Sequence, residues 1–289
     1  MDSITPPSNP PKVPVSLVVL TQDEAHNIAD CLASAVGFDD IHVVDSGSTD
    51  RTVSIAQNLG ATIHRHPFAG IGQQRNWAID NIPVRHDWQL QLDADERLTP
   101  ALIQEIVAVV SRDPAVGGYL MASKLIFAGQ WLRRAGQYPC YQVRLFHRRR
   151  LRFADHGHGQ REVTDYPLAQ LREPYLHLAF SRGLEHWFAK HADYARREAE
   201  HALGLNSDHE GGAGYRGRLL SLDPTLRRRA LKRLAARLPC RYFLRLLYML
   251  VVQMAFLDGK AGITYAHMIA TYEAMIEVNL RLLRSGHKV

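Results

Sequence analysis

Cysteine is scarce in this chain of 289 residues: Cys31, Cys140 and Cys240 are the only three. They are too few and too scattered for a disulfide framework, and they lack the paired short spacing of a zinc site, so all three are expected to be reduced, Cys31 within a buried helix. The sequence contains no internal repeat. Its start lacks a basic stretch followed by an apolar core and a small-residue cleavage site, so no signal peptide is expected and the protein is assigned to the cytoplasm. Residues 1–14 carry five prolines without apolar periodicity and read as a disordered lead.

What is present is the composition of an ordinary globular protein, 46% hydrophobic and 22% charged. The length suffices for one large α/β domain and a smaller appendage. The net charge of +6 is unevenly spread. Between Arg216 and Arg245 stand ten basic residues (Arg216, Arg218, Arg227, Arg228, Arg229, Lys232, Arg233, Arg237, Arg241 and Arg245) against one acid, Asp223.

The front half alternates strand and helix. Val15–Leu20, Ile41–Val44, Ala61–His64 and Trp88–Leu92 read as strands. Glu24–Ala35, Arg51–Leu59 (stopped by Gly60), Gln73–Asn81 and a helix opened by Thr99-Pro100 lie between and after them. This implies a mostly parallel sheet with right-handed crossovers. Beyond Asp113-Pro114, Gly118–Phe127 and Gln142–His147 are strand candidates, Phe153–Asp165 reads as a polar, histidine-rich loop, and Leu184–Leu205 as a helix. After the glycine-rich hinge Gly211–Gly217, helices are expected at Leu226–Leu238, Tyr242–Leu257 and Thr264–Leu283.

Acidic residues punctuate the strand ends: Asp23-Glu24, Asp45, Asp50, and then Asp93-Ala94-Asp95. Carboxylates at the carboxyl ends of successive strands in an open α/β sheet converge on one crevice, where such sheets bind ligands. Two carboxylates two residues apart at a strand end offer hard oxygen ligands to a divalent cation beside a diphosphate. Asp50 also suits a helix cap.

Four segments, Val15–Asn27 (VSLVVLTQDEAHN), Val43–Thr52 (VVDSGSTDRT), Gly72–Ala78 (GQQRNWA) and Leu90–Arg97 (LQLDADER), resemble in order the nucleotide-sugar domain of family 2 glycosyltransferases. His158–Val163 and Phe256–Tyr272 extend the likeness toward the branch that builds lipopolysaccharide cores and other envelope glycans. The resemblance implies a GT-A fold, a Rossmann-like, mostly parallel sheet flanked by helices, with a C-terminal amphipathic helical extension. It implies transfer from a nucleotide sugar, most often UDP-linked, to a lipid-linked or lipopolysaccharide-type acceptor, assisted by Mg²⁺ or Mn²⁺. Glu24 and Asp45 inherit contacts to ribose and base, within a nucleotide-binding set that adds Thr21, Asp23, Ser46, Gly47, Ser48, Asp93 and Ala94. Asp95 inherits the metal, with Asp93 beside it and nearer the ribose, and Arg75 is expected near the diphosphate. The family commonly has Asn where this chain has Asp23. The Gln-x-x-Arg-Trp signature of processive synthases is absent, which favours transfer of a single sugar.

An inverting transfer needs a base for the acceptor hydroxyl. Glu162 is the candidate, Asp155 its competitor, and His158 is a candidate to complete the metal shell. His177, His186, His191 and His201 lack metal-ligand spacing. Leu226–Leu238, basic on its outer faces, suits the headgroup region of an anionic inner-membrane surface. Tyr242–Leu257 is too short to span, and is expected to lie on the membrane or dock on the catalytic domain. No nucleic-acid motif accompanies the basic run, so nucleic acid is not an expected partner. A nucleotidyltransferase would want a glycine-rich basic loop after the first strand, which is missing. A non-catalytic nucleotide-binding scaffold is disfavoured by the intact Asp93, Asp95 and Glu162. The expected organisation is a lead at 1–14, a catalytic domain at 15–210 (a nucleotide-sugar half at 15–112 and an acceptor half at 113–210), and a membrane-associating extension at 211–289, the whole peripheral on the cytoplasmic face.

Overall fold

The apolar run SLVVLT forms β1 (Ser16–Thr21), whose interior is buried on both faces, as a central parallel strand requires. The computed structural model describes residues 12–112, 114–156, 159–203 and 240–287. In it β1 lies between β2 (Ile41–Asp45) and β4 (Trp88–Asp93), parallel to both, and β3 (Thr62–Arg65) continues the parallel set beyond β2. Helices α1 (Ile28–Ser34), α2 (Thr52–Asn58) and α3 (Ile71–Asn81) make the crossovers. The register places Thr21 opposite Asp45 and Leu20 opposite Asp93, so three strands end level with one another.

The sheet then becomes mixed. After β5 (Glu96–Arg97) and α4 (Pro100–Val110) come β6 (Gly118–Phe127), β7 (Gln130–Trp131), β8 (Cys140–His147), the hairpin β9 (Arg152–His156) and β10 (Gly159–Val163), β11 (Leu168–Gln170) and β12 (Tyr175–His177). The main sheet runs β3-β2-β1-β4-β8-β6-β12-β5. Thr99 caps α4 as its sequence suggests, its hydroxyl accepting the Leu102 N–H at 3.2 Å, with Pro100 at the first position. The core joins β1, β2 and β4 to α1 and α4 through Leu17, Val19, Ile28, Leu90, Leu102 and Ile106, each fully buried. Each such aliphatic side chain contributes about 1.5–3 kcal/mol on burial.

Two expectations change here. Residues 153–165 are not simply a loop: they supply most of the β9–β10 hairpin, hidden in the sequence because polar residues dominate it, and its Phe153 packs with Ile79 and Phe146. The hairpin is fastened to α3 by polar groups. Asn76 donates to the Phe153 carbonyl at 2.6 Å and accepts its N–H at 2.9 Å. The short strands β5, β11 and β12 also escape sequence reading, being two or three residues long.

The chain divides into two units, the first ending at Arg182 and the second starting at Gly183. The helix expected to close the catalytic domain, α5 (Gly183–Ala202), therefore belongs to the second unit, where Ala195 and Ala199 pack against Ile276 and Leu280 of the long α7 (Gly259–Arg284). In place of one helix over Tyr242–Leu257 there are α6 (Arg241–Leu247), a π-helical turn Tyr248–Val252 and a 3₁₀ turn Ala255–Asp258. The break falls at Met254, whose φ of 55° lies in the left-handed region. The hinge Gly211–Gly217 and the helix Leu226–Leu238 lie outside the described residues.

Candidate active site

The loops that follow β1 and β2 are laced together. Ser46 N–H bonds to the Thr21 carbonyl at 2.9 Å, the N–H of Asp23 to Ser48 Oγ at 2.8 Å, and that of Glu24 to Thr52 Oγ1 at 2.7 Å. In return Asp23 Oδ1 accepts the N–H of Thr49 at 2.7 Å and its hydroxyl at 3.1 Å. Asp23 itself has a φ of 53°, and Gly47, at φ 96°, takes the second tight turn where a side chain would be strained. Asp45, 2% exposed, accepts the N–H groups of Gly47 and Ser48 at 3.1–3.2 Å and so shapes the turn it opens. Asp50 links both loops to α2: it accepts the Ala25 N–H at 3.0 Å and the Thr52 N–H at 2.9 Å. Burial pushes its carboxyl up, but the bonds from Thr52 and Ala25 outweigh burial and hold it below the usual range.

Against this frame lies an open cleft of about 500 Å³ lined by Asp23, His26, Thr49, Asp50, Ser181 and Arg182. Its far wall, residues 178–182, is tied down by Leu178 N–H to the Asp95 carbonyl at 2.8 Å and by Asn27 Nδ2 to Ser181 Oγ at 2.6 Å. Glu24 sits at the edge, accepting Asn27 Nδ2 at 2.7 Å with Arg182 3.7 Å away. Burial raises its carboxyl above the ordinary value despite the Asn27 bond, and the charge of Asp95 adds to the rise. The Thr21 hydroxyl, buried at the end of β1, has no hydrogen-bond partner among the described residues, and the N–H of the buried Ala94 bonds to the Leu20 carbonyl at 3.2 Å.

At the end of β4 the two aspartates part company. Asp93 is gripped by two guanidinium groups: Arg75 donates to Oδ1 at 3.0 Å and Arg144 to Oδ2 at 2.7 Å. Asp95 instead lies 3.5 Å from His177 Nε2, both side chains partly exposed. Arg75, expected near the diphosphate, is turned into the domain: it is 1% exposed, its Nε bonded to Gln160 at 2.7 Å and its NH1 to Gln91. The cation in the cleft wall is Arg182.

Among the described residues no group of three or more His, Cys, Asp or Glu forms a metal cage. The donor set still suits Mg²⁺ or Mn²⁺. Such ions take one or two protein ligands and complete their shell with water and substrate phosphate, and the partly exposed Asp95 and His177 offer an oxygen and a nitrogen 3.5 Å apart. Asp93 fits less well as a ligand, because each of its oxygens already accepts an arginine. His158 lies outside the described residues.

The two carboxylates on the hairpin are held differently. Asp155 sits at the N-terminus of α3, accepting Gly72 N–H at 2.8 Å, which satisfies one orphan helix donor and complements the helix dipole, and the Gln73 side-chain Nε2 at 3.0 Å. Glu162 pairs across the hairpin with Phe153, two residues beyond Gln160, and so shares a strand face with the glutamine that meets Arg75. Sequence reading missed Arg144 and Arg182, and it set His177 aside for want of metal-ligand spacing. A trace of Arg144 was there: a charge between Val143 and Leu145 interrupts an otherwise apolar strand.

A model of the family described as glycosyl transferase family 2 matches residues 16–161, half of the chain. An uncharacterized glycosyltransferase of Rickettsia felis is 41% identical over 93 residues, which cover 32% of each chain. The lipopolysaccharide core biosynthesis glycosyltransferase LpsC of Rhizobium meliloti is 28% identical over 159 residues, 53% of this chain and 55% of that one. The match with the Rickettsia relative thus spans about a third of its length. Among solved structures, glucosyl-3-phosphoglycerate synthase from Mycobacterium tuberculosis, crystallised with Mn²⁺, UDP-glucose and phosphoglyceric acid, aligns at 21% identity over 39% of this chain and 44% of its own, with a TM-score of 0.32. The family model covers β1 through the first part of β10, the whole set of strand ends described above, and the chain belongs to glycosyl transferase family 2.

Proposed function

We propose that this glycosyltransferase moves a single sugar, with inversion, from a UDP-sugar to a lipid-linked or lipopolysaccharide-type glycan at the cytoplasmic face of the membrane. The observation that carries the reading is the level ending of β1, β2 and β4, which gathers Thr21, Asp45 and Asp93 at one edge of the sheet, where the loops after β1 and β2 supply Asp23, Thr49 and Asp50 to the cleft. The buried, unpartnered Thr21 hydroxyl and the half-exposed edge of Asp93 are suited to polar groups of a nucleoside. Asp95 and His177 are the residues to hold Mg²⁺ or Mn²⁺, which when bound supplies positive charge against the departing diphosphate. Arg182 adds a guanidinium at the same cleft. Glu162 is the base that takes the proton from the acceptor hydroxyl. Asp155, engaged with α3, is the weaker candidate. The acceptor class draws support from the printed role of the Rhizobium relative in lipopolysaccharide core synthesis.

The membrane reading draws on the second unit. Phe243, Leu247 and Val251, spaced four residues apart, are each more than 60% exposed, and Val252, Phe256 and Leu257 continue the apolar surface. No single described helix is long and apolar enough to cross a bilayer, although the pair Arg241–Val252 and Ala255–Arg284, bent by 74°, passes by length and composition. A helix with such a face lies in the interface plane.

The test is calorimetry of UDP-, GDP- and ADP-sugars with and without Mn²⁺, on the wild type and Asp95→Ala. The expected result is UDP-sugar binding that Mn²⁺ strengthens, with Asp95→Ala folded, inactive and indifferent to the ion. Equal affinity with and without Mn²⁺ in the wild type would remove the metal from the mechanism, and preference for another nucleotide would replace the donor.

A further inference from the structure

Across its pairing with β6, β8 carries one residue more than its partner. Leu120 lies opposite Val143 and Tyr119 opposite Leu145, which leaves Arg144 between them. A bulge of this kind takes the extra residue out of the ladder and re-aims its side chain. The side chain re-aimed is a guanidinium only 5% exposed, between two fully buried neighbours, Val143 and Leu145. Its NH2 donates to Asp93 Oδ2 at 2.7 Å and to Glu96 Oε1 at 2.6 Å. The other oxygen of Glu96 accepts the Asp93 backbone N–H at 3.0 Å, which closes a ring around the start of the Asp-Ala-Asp turn. Arg75 holds Asp93 from its other oxygen.

We propose that Arg144 is a positioning residue for the nucleotide. By gripping Asp93 opposite Arg75 it fixes that carboxylate in one orientation and balances its charge. Asp93 then presents its remaining lone pairs to neutral hydroxyl groups and leaves the cation to Asp95. A carboxylate has about four acceptor directions, and the arginines occupy one on each oxygen. The inference rests on reading these strand ends as the nucleotide site. The rival explanation is purely structural: Arg144 would serve only to neutralise Glu96, which is fully buried.

The two explanations separate in a double variant. Arg144→Gln alone leaves a buried acid uncompensated and is expected to lower the melting temperature, whereas Arg144→Gln with Glu96→Gln removes both charges and is expected to restore it. Calorimetry with UDP and GDP in the presence of Mn²⁺, and paramagnetic resonance titration with Mn²⁺ alone, are then run on the wild type, both of these variants and Arg144→Lys. The double variant is expected to melt like the wild type yet bind nucleotide about tenfold or more weakly, the equivalent of one lost charge-assisted bond. It is also expected to bind Mn²⁺ alone more tightly, because Asp93 is released. Arg144→Lys, which keeps the charge on a shorter side chain that does not reach both carboxylates as the guanidinium does, is expected to fall between. A double variant with wild-type affinity for both nucleotide and Mn²⁺ would overturn the proposal. If the wild type binds neither nucleotide, the donor reading fails by itself, and the Mn²⁺ titration still decides: an unchanged affinity overturns the role of Arg144.

Discussion

Gln160, which pairs with Asp155 on the β9–β10 hairpin, stands two residues before Glu162, and the two carboxylates work in different surroundings. The Asp155 carboxylate is so close to Gly70 and Gly72 that a Cβ on Gly70 would come within 2.6 Å of it, and one on Gly72 within 3.0 Å of the hairpin backbone. Asp155→Ala is therefore expected to cost about 1 kcal/mol, as other lost helix-end bonds do, lowering the melting temperature by about 2–4 °C while transfer survives. Glu162→Gln is expected to do the opposite, with an unchanged melting curve and turnover reduced by ~10²-fold or more at nearly constant donor affinity. Inactive Asp155→Ala with active Glu162→Gln would exchange the two roles. At this scale the sequence was informative about residue type and weak about direction. Asp93, Asp95, Glu24 and Asp45 were all identifiable from strand-end position. That Arg75 turns inward and Arg144 joins it follows from a bulge and from packing, neither of which leaves a local signal.

Elements add a second buried polar chain, at the opposite ends of β1 and β2. Ser16 Oγ donates to Asp40 at 2.5 Å, Asp40 also contacts His42 Nε2 at 3.0 Å, and His42 Nδ1 meets His64 Nε2 of β3 at 3.1 Å. Burial, followed by the charge of His42, lowers the His64 value below its ordinary one. The folded state therefore binds fewer protons than the unfolded chain. The stability contributed by His64 is complete above the unfolded value of about 6.5 and is lost as pH falls below it toward the lower folded value. Urea melts at pH 8 and pH 5.5 are expected to show this loss, and His64→Gln, which keeps an N–H for His42, to reduce it. An identical pH slope in His64→Gln would assign the dependence elsewhere. The parallel elements themselves were legible because long buried strands and capped helices carry strong patterns. The hairpin was not, since polar bonds to Asn76 and the α3 N-terminus, in place of an apolar stripe, hold it on the domain.

For the whole molecule, the surface near Phe243 and Leu247 makes a statement about location that can be measured. The Arg241 guanidinium is paired with Glu273, so it is not a free charge for lipid headgroups. The apolar row, together with the basic residues at 226–237, is the proposed anchor. Phe243→Glu with Leu247→Glu is expected to release the protein from vesicles containing anionic lipid, while hydrolysis of the donor, which needs no membrane, continues. Vesicle co-sedimentation across ionic strength separates the contributions, since screening weakens only the charged part. Binding abolished by salt but untouched by the two substitutions would assign the attachment to the basic run, and no binding to vesicles at all would end the membrane reading.

The lacing of the loops after β1 and β2 bears on how such an enzyme can change its donor. Asp23, Glu24 and Ala25 on one loop are bonded to Ser48, Thr49, Asp50 and Thr52 on the other, so neither keeps its shape alone. They constitute one heritable module split across two stretches of sequence. Drift in either half meets resistance from its counterpart, and a chimera that imports one segment from a relative without the other inherits mismatched halves. With these loops as the proposed donor site, donor preference is expected to diversify by coordinated replacement of both segments, or through wall residues such as Arg182 that lie outside the interlock.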